Sequence, residues 1–311
     1  MTTKAQVKME KISYAGWPNC IRLRNSEMEL IATTDVGPRI IRLGFQNSDN
    51  IFREVSDELG KTGGDQFRGY GGHRLWHAPE QMPRTYSPDN SSIESRMQGQ
   101  TLILTQPTES STGMQKQIEV TLDPSQNKVS VLHKIWNRGV WPVDTAPWAL
   151  TVMQGPGKAF FPQENFLQAL LPVRPMVMWG YTDMKDPRWN WGSRLITLRC
   201  DPKLNTAQKI GMMNTLGWAA YANKGGVFIK RFGFDPSATY PDWNCNNETY
   251  TNGEMLEVES LGPLKKLEVG ECAQHLEEWY IFRDSLPDEE NALEQKLHSL
   301  VSQTTFENLP K

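Results

Sequence analysis

Short stretches of alternating apolar and polar residues, each closed by a turn, recur along the whole chain. Cys20 to Leu23, Glu29 to Thr33, Arg39 to Gly44, Thr101 to Thr105 and Gln117 to Leu122 show the period of two and the β-branched enrichment of half-buried strands. Turn-forming residues punctuate them: QNSDN at 46–50, SPDNSS at 87–92, DPSQNK at 123–128 and NRG at 137–139. The pattern continues through Val129 to Trp136, Trp148 to Met153, Leu195 to Arg199, Trp218 to Asn223, Val227 to Phe232, Met255 to Ser260 and His275 to Phe282. Hairpin-type connections between so many short strands predict an all-β protein, a large antiparallel β-sandwich. One helix interrupts the pattern at the C-terminus. There Asp288 is placed to cap, and Leu293, Leu297, Leu300 and Val301 share a face suited to packing against a sheet edge.

No internal repeat and no Gly/Ser or Pro linker divides the 311 residues, so residues 1–311 are expected to form one domain. Hydrophobic residues at 38% supply a sizeable core. The net charge of -3 comes from interspersed acids and bases without a basic block, which argues against a nucleic-acid partner. No stretch approaches the roughly 20 apolar residues of a membrane span, and the opening MTTKAQVKMEK lacks the apolar core of a signal peptide. A cytoplasmic location is the expectation. Cys20, Cys200, Cys245 and Cys272 show no CxxC pair and read as reduced thiols.

The segment from Glu54 to Asp89 breaks the strand pattern, being rich in Gly, charge and aromatics, and long irregular segments inside compact folds are usually functional. Within it, GGHRLWHAPE at 71–80 gathers two of the five histidines. If Arg74 to His77 is extended, His73, Leu75 and His77 share one face, and Arg74 and Trp76 share the other. Two imidazoles about 7 Å apart would then face one ligand as general acid or base. They also suggest a metal, but no third ligand stands at a recognisable spacing, so neither metal nor cofactor is expected. A second cluster runs NNETYTNGEMLEVE from 246 to 259. On a strand from Met255, Glu257 and Glu259 point away from Leu256 and Val258. Asn247 and Glu248 precede them as candidate ligand-binding groups, and Asp65 and Glu80 are further carboxylates of that kind. Eleven tryptophans are an unusual number, and Trp179, Trp189, Trp191 and Trp243 sit among Asn, Asp and Arg, where ring faces and amides together suit a polyhydroxylated ligand.

These stretches resemble the aldose 1-epimerase (galactose mutarotase-like) superfamily. Leu256-Glu257, Pro263, Leu267 with Gly270-Glu271, and Tyr280-Ile281-Phe282 match in order and spacing the Leu-Glu, Pro, Leu-x-Pro-Gly-Glu and Tyr-x-Phe elements near the end of such enzymes, with Val269 in place of the turn proline. DVGPRIIRLGF at 35–45 and WALTVMQGPGKAFFP at 148–162 resemble the family's first hairpin and central strand. GGHRLWHAPE and NNETYTNGEMLE are similar to a branch of unsettled function.

The resemblance implies a supersandwich fold and aldose 1-epimerase-like acid/base chemistry on a small sugar, with Glu257 as the base. The family's Asn-His-x-Tyr-Phe stretch, whose histidine protonates the ring oxygen, is replaced here by Asp144-Thr145-Ala146-Pro147-Trp148. The acid role therefore passes to His73 or His77, while Arg74, Trp76, Glu80, Asp65, Trp189, Trp191, Trp243, Asn247 and Glu248 are expected to contact the sugar. Two alternatives stand beside this reading: a non-catalytic carbohydrate-binding or sensing protein, and a lyase or glycoside-processing enzyme. A small-molecule carbohydrate is the expected partner, with monomer or homodimer both open.

Overall fold

The computed structural model describes residues 6–164 and 170–309, and its residues are arranged in two antiparallel sheets. The first runs in the order β1 (Lys8–Tyr14), β2 (Trp17–Arg24), β3 (Met28–Thr33), β4 (Arg39–Phe45), β5 (His73–Ala78), β10 (Val143–Met153), β19 (Leu256–Leu261), β18 (Asn247–Thr251), β15 (Gln208–Met212) and β12 (Met176–Met178), with β20 (Lys265–Leu267) on the far half of β10. The second runs β13 (Trp189–Trp191), β14 (Leu195–Cys200), β11 (Gly157–Pro162), β16 (Trp218–Asn223), β17 (Gly226–Phe232), β21 (Cys272–Arg283), β9 (Lys128–Asn137), β8 (Met114–Leu122), β7 (Thr101–Thr105) and β6 (Glu94–Gln98). This is the antiparallel β-sandwich expected from the alternation. Every strand segment read from the sequence lies within a strand of the structure, except that Met255 falls just before β19, which starts at Leu256.

The alternation is cleanest in β9, where residues from Lys128 to Asn137 switch strictly between half-buried and buried. Its inward side chains meet those of β3, β4, β8 and β19 in the main apolar core, which includes Leu30, Leu43, Ile118, Val131, Leu256, Val258 and Trp279. Burying such aliphatic side chains contributes roughly 1.5–3 kcal/mol each. In contrast, β5 and β19 are buried at every position. A strand with one wet face cannot be buried throughout, so the outer face of the first sheet is itself covered. The cover comes from Phe67 and Tyr86, which flank β5 and pack on the outward ring of Trp76 at centroid distances of 5.2 and 4.9 Å.

Gly71 and Gly72 launch β5 from that loop. Both have positive φ, and a Cβ on Gly72 would lie 2.4 Å from the Ile40 carbonyl oxygen, so only glycine permits this approach to β4. The C-terminal helix, Glu290–Val301, differs from expectation in two details. Glu289, not Asp288, caps it, its carboxylate accepting from the amides of Asn291 and Ala292. Leu293, Leu297 and Leu300 cover the outer face of the second sheet at Phe160, Leu195, Ile229 and Tyr280, not a sheet edge. Among the described residues no helix is long and apolar enough to cross a membrane.

Candidate functional site

Strand register determines which groups meet on the covered outer face. Arg74 of β5 stands opposite Leu150 of β10, which stands opposite Glu259 of β19, then Glu248 of β18 and Gly211 of β15. The neighbouring row runs Val152, Glu257, Tyr250 and Lys209. Period-two alternation therefore brings two cations and three carboxylates to adjacent positions on one sheet face. Gly211 leaves room for this, since a Cβ there would come within 3.4 Å of Glu248 Cγ.

The charges are paired and almost dry. Arg74 Nη2 donates to Glu257 Oε1 at 2.9 Å, and the guanidinium lies over the Trp76 ring at 4.5 Å. Lys209 Nζ is 2.8 Å from Glu248 Oε2 and 3.5 Å from Glu259 Oε2, between the rings of Trp148 and Trp179 at 4.5 and 4.6 Å. Trp148 Nε1 donates to Glu259 Oε2 at 2.8 Å. The lysine is close to Glu248 but not aligned with it, so both Glu248 oxygens, together with Glu259 Oε1, accept no hydrogen bond among the described residues. Burial lifts the Glu248 carboxyl well above the usual range, against the pull of Lys209, and raises Glu259 in the same way. Lys209 is itself raised: burial disfavours its charge, but Glu259 and Glu248 outweigh that. Half-buried Phe67, Tyr86, Trp179 and Tyr250 edge this floor, and Tyr86 donates to the exposed Glu80.

Of the sequence-predicted residues, the structure brings Arg74, Trp76, Glu248 and Glu257 together, with Glu80 nearby. It separates the histidines from them. The predicted alternation in β5 is present, but its consequence is the reverse of a shared ligand. His73 and His77 point between the sheets, are fully buried and lie on the other side of the sheet from Glu257, so neither reaches a ligand held there. His77 lies 3.4 Å from Glu109 Oε2 without an aligned hydrogen bond, and Glu109 pairs with Lys116 at 2.7 Å. Asn247 also faces inward, donating to the Glu259 carbonyl at 2.6 Å and accepting from Asn214. Trp189 belongs to the main core, stacked on Trp191 at 4.9 Å on the edge of the second sheet, so these rings fill the sandwich instead of lining the charged floor. Trp243 is 88% exposed in the turn after Tyr240, and Asp65 is exposed in the loop before β5.

His73 joins a second polar cluster between the sheets. Thr151 Oγ1 lies 2.9 Å from His73 Nδ1, His73 Nε2 is 2.7 Å from His133 Nε2, and His133 Nδ1 is 3.0 Å from the His275 carbonyl. One assignment satisfies all of these: the carbonyl can only accept, so His133 Nδ1 donates, His73 Nε2 donates to His133, and Thr151 donates to His73. His73, His133 and Glu277 bring three ligating atoms within 4.8 Å of one another, so the third ligand absent from local spacing arrives from distant strands. These atoms are nevertheless engaged. Glu277 accepts from Ser260 at 2.5 Å, Lys230 at 2.8 Å and Trp279 at 2.7 Å, and the lysine already supplies the positive charge. A cavity of about 780 Å³ lies elsewhere, between residues 233–240, 263–265 and 306–309, and none of the sequence-predicted residues line it.

Lys209, Trp148 and Glu259 are the residues of the floor that sequence reasoning left out as site members, whereas Trp179, one of the tryptophans singled out from the sequence, does lie against Lys209. The signal for Lys209 was slight: one basic residue in the short stretch QKIGM, before a glycine that faces Glu248.

No family model and no curated protein matches the sequence. Solved structures do match in shape. A candidate mutarotase from Salmonella typhimurium superposes with a TM-score of 0.57 at 7% identity, over 88% of this chain and 94% of its own. A candidate aldose 1-epimerase from Klebsiella pneumoniae gives 0.54 at 12% identity, over 94% and 87%. This chain has a galactose mutarotase-like fold. A TPR-domain containing protein from Parabacteroides distasonis matches at 0.56 and 16% identity over 86% of this chain, which spans only 48% of that longer one. At such identities the likeness extends to the mutarotase-like architecture and no further.

Proposed function

We propose that the protein acts on a small sugar bound to the outer face of the first sheet, by aldose 1-epimerase-like acid/base chemistry with Glu257 as the base. The supporting observation is the convergence of Glu257, Arg74 and the rings of Trp76, Tyr86 and Phe67 on one covered face. Aromatic faces suit the C–H side of a pyranose, and the charged groups suit its hydroxyls. Glu257 would take the anomeric hydroxyl proton as the ring opens, and Arg74 would orient the carboxylate and a neighbouring hydroxyl. The names of the neighbouring structures, mutarotase and aldose 1-epimerase, point the same way. The reading takes residues 1–311 as one unit. It also places the protein in the cytoplasm, in keeping with four free cysteines.

Glu257→Gln keeps the shape and loses the base. It is expected to slow anomer exchange of the preferred aldose at least a hundredfold, measured by proton NMR over a panel of free and phosphorylated sugars, while sugar binding persists. Unchanged exchange in this variant would remove Glu257 as base. A second reading, a sugar-binding or sensing protein without turnover, is favoured by one feature: among the described residues, no imidazole faces Glu257. It predicts sugar-dependent line broadening with no acceleration for any sugar.

A further inference from the structure

We propose that the Lys209–Glu248 couple is the proton-donating half of this site, taking the place of a histidine acid. The inference rests on the epimerase reading of the same face. A donor is needed there to protonate the ring oxygen, and the outward positions offer few candidates. Arg74 is held by Glu257 and cannot give up a proton. The phenol of Tyr86 is engaged with Glu80, and among the described residues neither the Tyr181 nor the Tyr250 hydroxyl is bonded to a carboxyl group that could return a proton. Glu80 is exposed and accepts from Tyr86. Lys209 remains. Its ammonium occupies the floor between Trp148 and Trp179 on the strand next to Tyr250, with a carboxyl group 2.8 Å behind it.

That carboxyl suits a proton reservoir. Glu248 is fully buried, and neither of its oxygens accepts a hydrogen bond among the described residues. A carboxylate in that state is costly, whereas a carboxylic acid is tolerated, and burial accordingly lifts its proton affinity. With Glu248 holding its proton and Glu259 still 3.5 Å away, Lys209 is by itself a reluctant acid, so the transfer is coupled. Lys209 Nζ–H goes to the ring oxygen as Glu248 returns a proton to Nζ, Glu257 removes the anomeric hydroxyl proton, the bond from C1 to the ring oxygen breaks, and the C1 carbonyl forms. Three protons move, one from Nζ to the ring oxygen, one from Glu248 to Nζ and one from the anomeric hydroxyl to Glu257; no electrons are gained or lost, and reclosure on the other carbonyl face runs the same transfers backwards.

Glu248→Gln is the decisive variant. The amide reproduces the neutral acid in shape and charge, so a merely structural role would leave turnover and its pH dependence unchanged. The inference expects kcat for anomer exchange to fall about a hundredfold with KM nearly constant, and expects loss of the limb in which kcat declines as pH rises. The groups facing the couple include Lys209 itself, Glu259, Glu257, Arg74, Tyr250, Tyr181, Tyr86 and Cys245, with Glu80 at the rim and Asp242 acting on Glu248 from the adjacent turn, and all remain in this variant. Lys209→Arg, which keeps the charge and withholds the proton, should likewise lose exchange while sugar-dependent line broadening persists. Wild-type exchange that is lost in Glu257→Gln but retained, with its pH profile, in Glu248→Gln overturns this inference and leaves the epimerase reading standing. Absence of exchange in the wild type for every sugar of the panel overturns both.

Discussion

Lys230→Met is expected to destabilise the protein by about 3–5 kcal/mol, the range for breaking a buried ion pair by removing one partner. Lys230 and Glu277 are both fully buried, 2.8 Å apart, and the ammonium also donates to the Val258 carbonyl at 2.9 Å, which ties β17 of the second sheet to β19 of the first. Burial alone would raise the Glu277 carboxyl, but Lys230, together with His133 and His275, offsets it and holds the group below its usual range. Without the lysine, the carboxylate keeps only the hydroxyl of Ser260 and the indole of Trp279 as donors. Lys230→Met combined with Glu277→Gln removes both charges and should recover most of the loss, a coupling that urea unfolding of the two singles and the double would measure. A single-variant loss under 1 kcal/mol would mean that water reaches the pair or that it relaxes outward.

Strands and turns were legible because each rests on contacts within a few residues. The alternation of β9 or β19 is local, and so is the placement of Glu257 opposite Leu256 and Val258. What the sequence does not display is the height of the second wall. The run from His73 to Ala78 shows which residues share a face, but not which of the two faces is outward. That depended on His133, 60 residues away, and on Glu257, 183 residues from Arg74. A histidine in a glycine-rich, polar stretch looks exposed, yet the pairing of β5 with β10 and the packing of the sheets put it inside. Trp189 and Trp191 were misplaced for a related reason. An edge strand and a ligand loop can share an Asn- and Arg-rich composition, and only the pairing of β13 with β14 distinguishes them.

The same limit explains the charged floor. Glu248, Glu259 and Lys209 are each unremarkable beside their sequence neighbours and become a site only through the register of β15, β18 and β19. Their burial is the more informative sign, because charges on a solvated face have no need to pair. On a covered face even a paired charge is costly, and retaining two cations and three carboxyl groups there is more readily explained by chemistry than by packing.

The histidines inside the sandwich set the acid limit of the fold. His73, His133 and His275 are fully buried, and burial is the largest cause depressing each, bringing His275 from 6.5 to about 3. The unfolded chain therefore binds protons that the folded one refuses, and stability falls as pH drops below about 6.5 toward the folded value. For His275 alone this amounts to about 2 kcal/mol between pH 7.5 and pH 5, at 1.36 kcal/mol per unit. The raised carboxyls Glu248 and Glu259 act with the opposite sign over the same interval, since they hold protons in the folded state that the unfolded chain has already lost. A wild-type profile alone would mix the two. Comparison with His275→Gln isolates the imidazole, because the amide can still donate to Ser260 Oγ, where His275 Nε2 sits at 2.6 Å, and every other titrating group is common to both proteins. Urea midpoints at the two pH values should show the wild type losing about 2 kcal/mol more than the variant. Parallel losses would mean that His275 takes up its proton in the folded state, with Glu277 beyond Ser260 as the counter-charge.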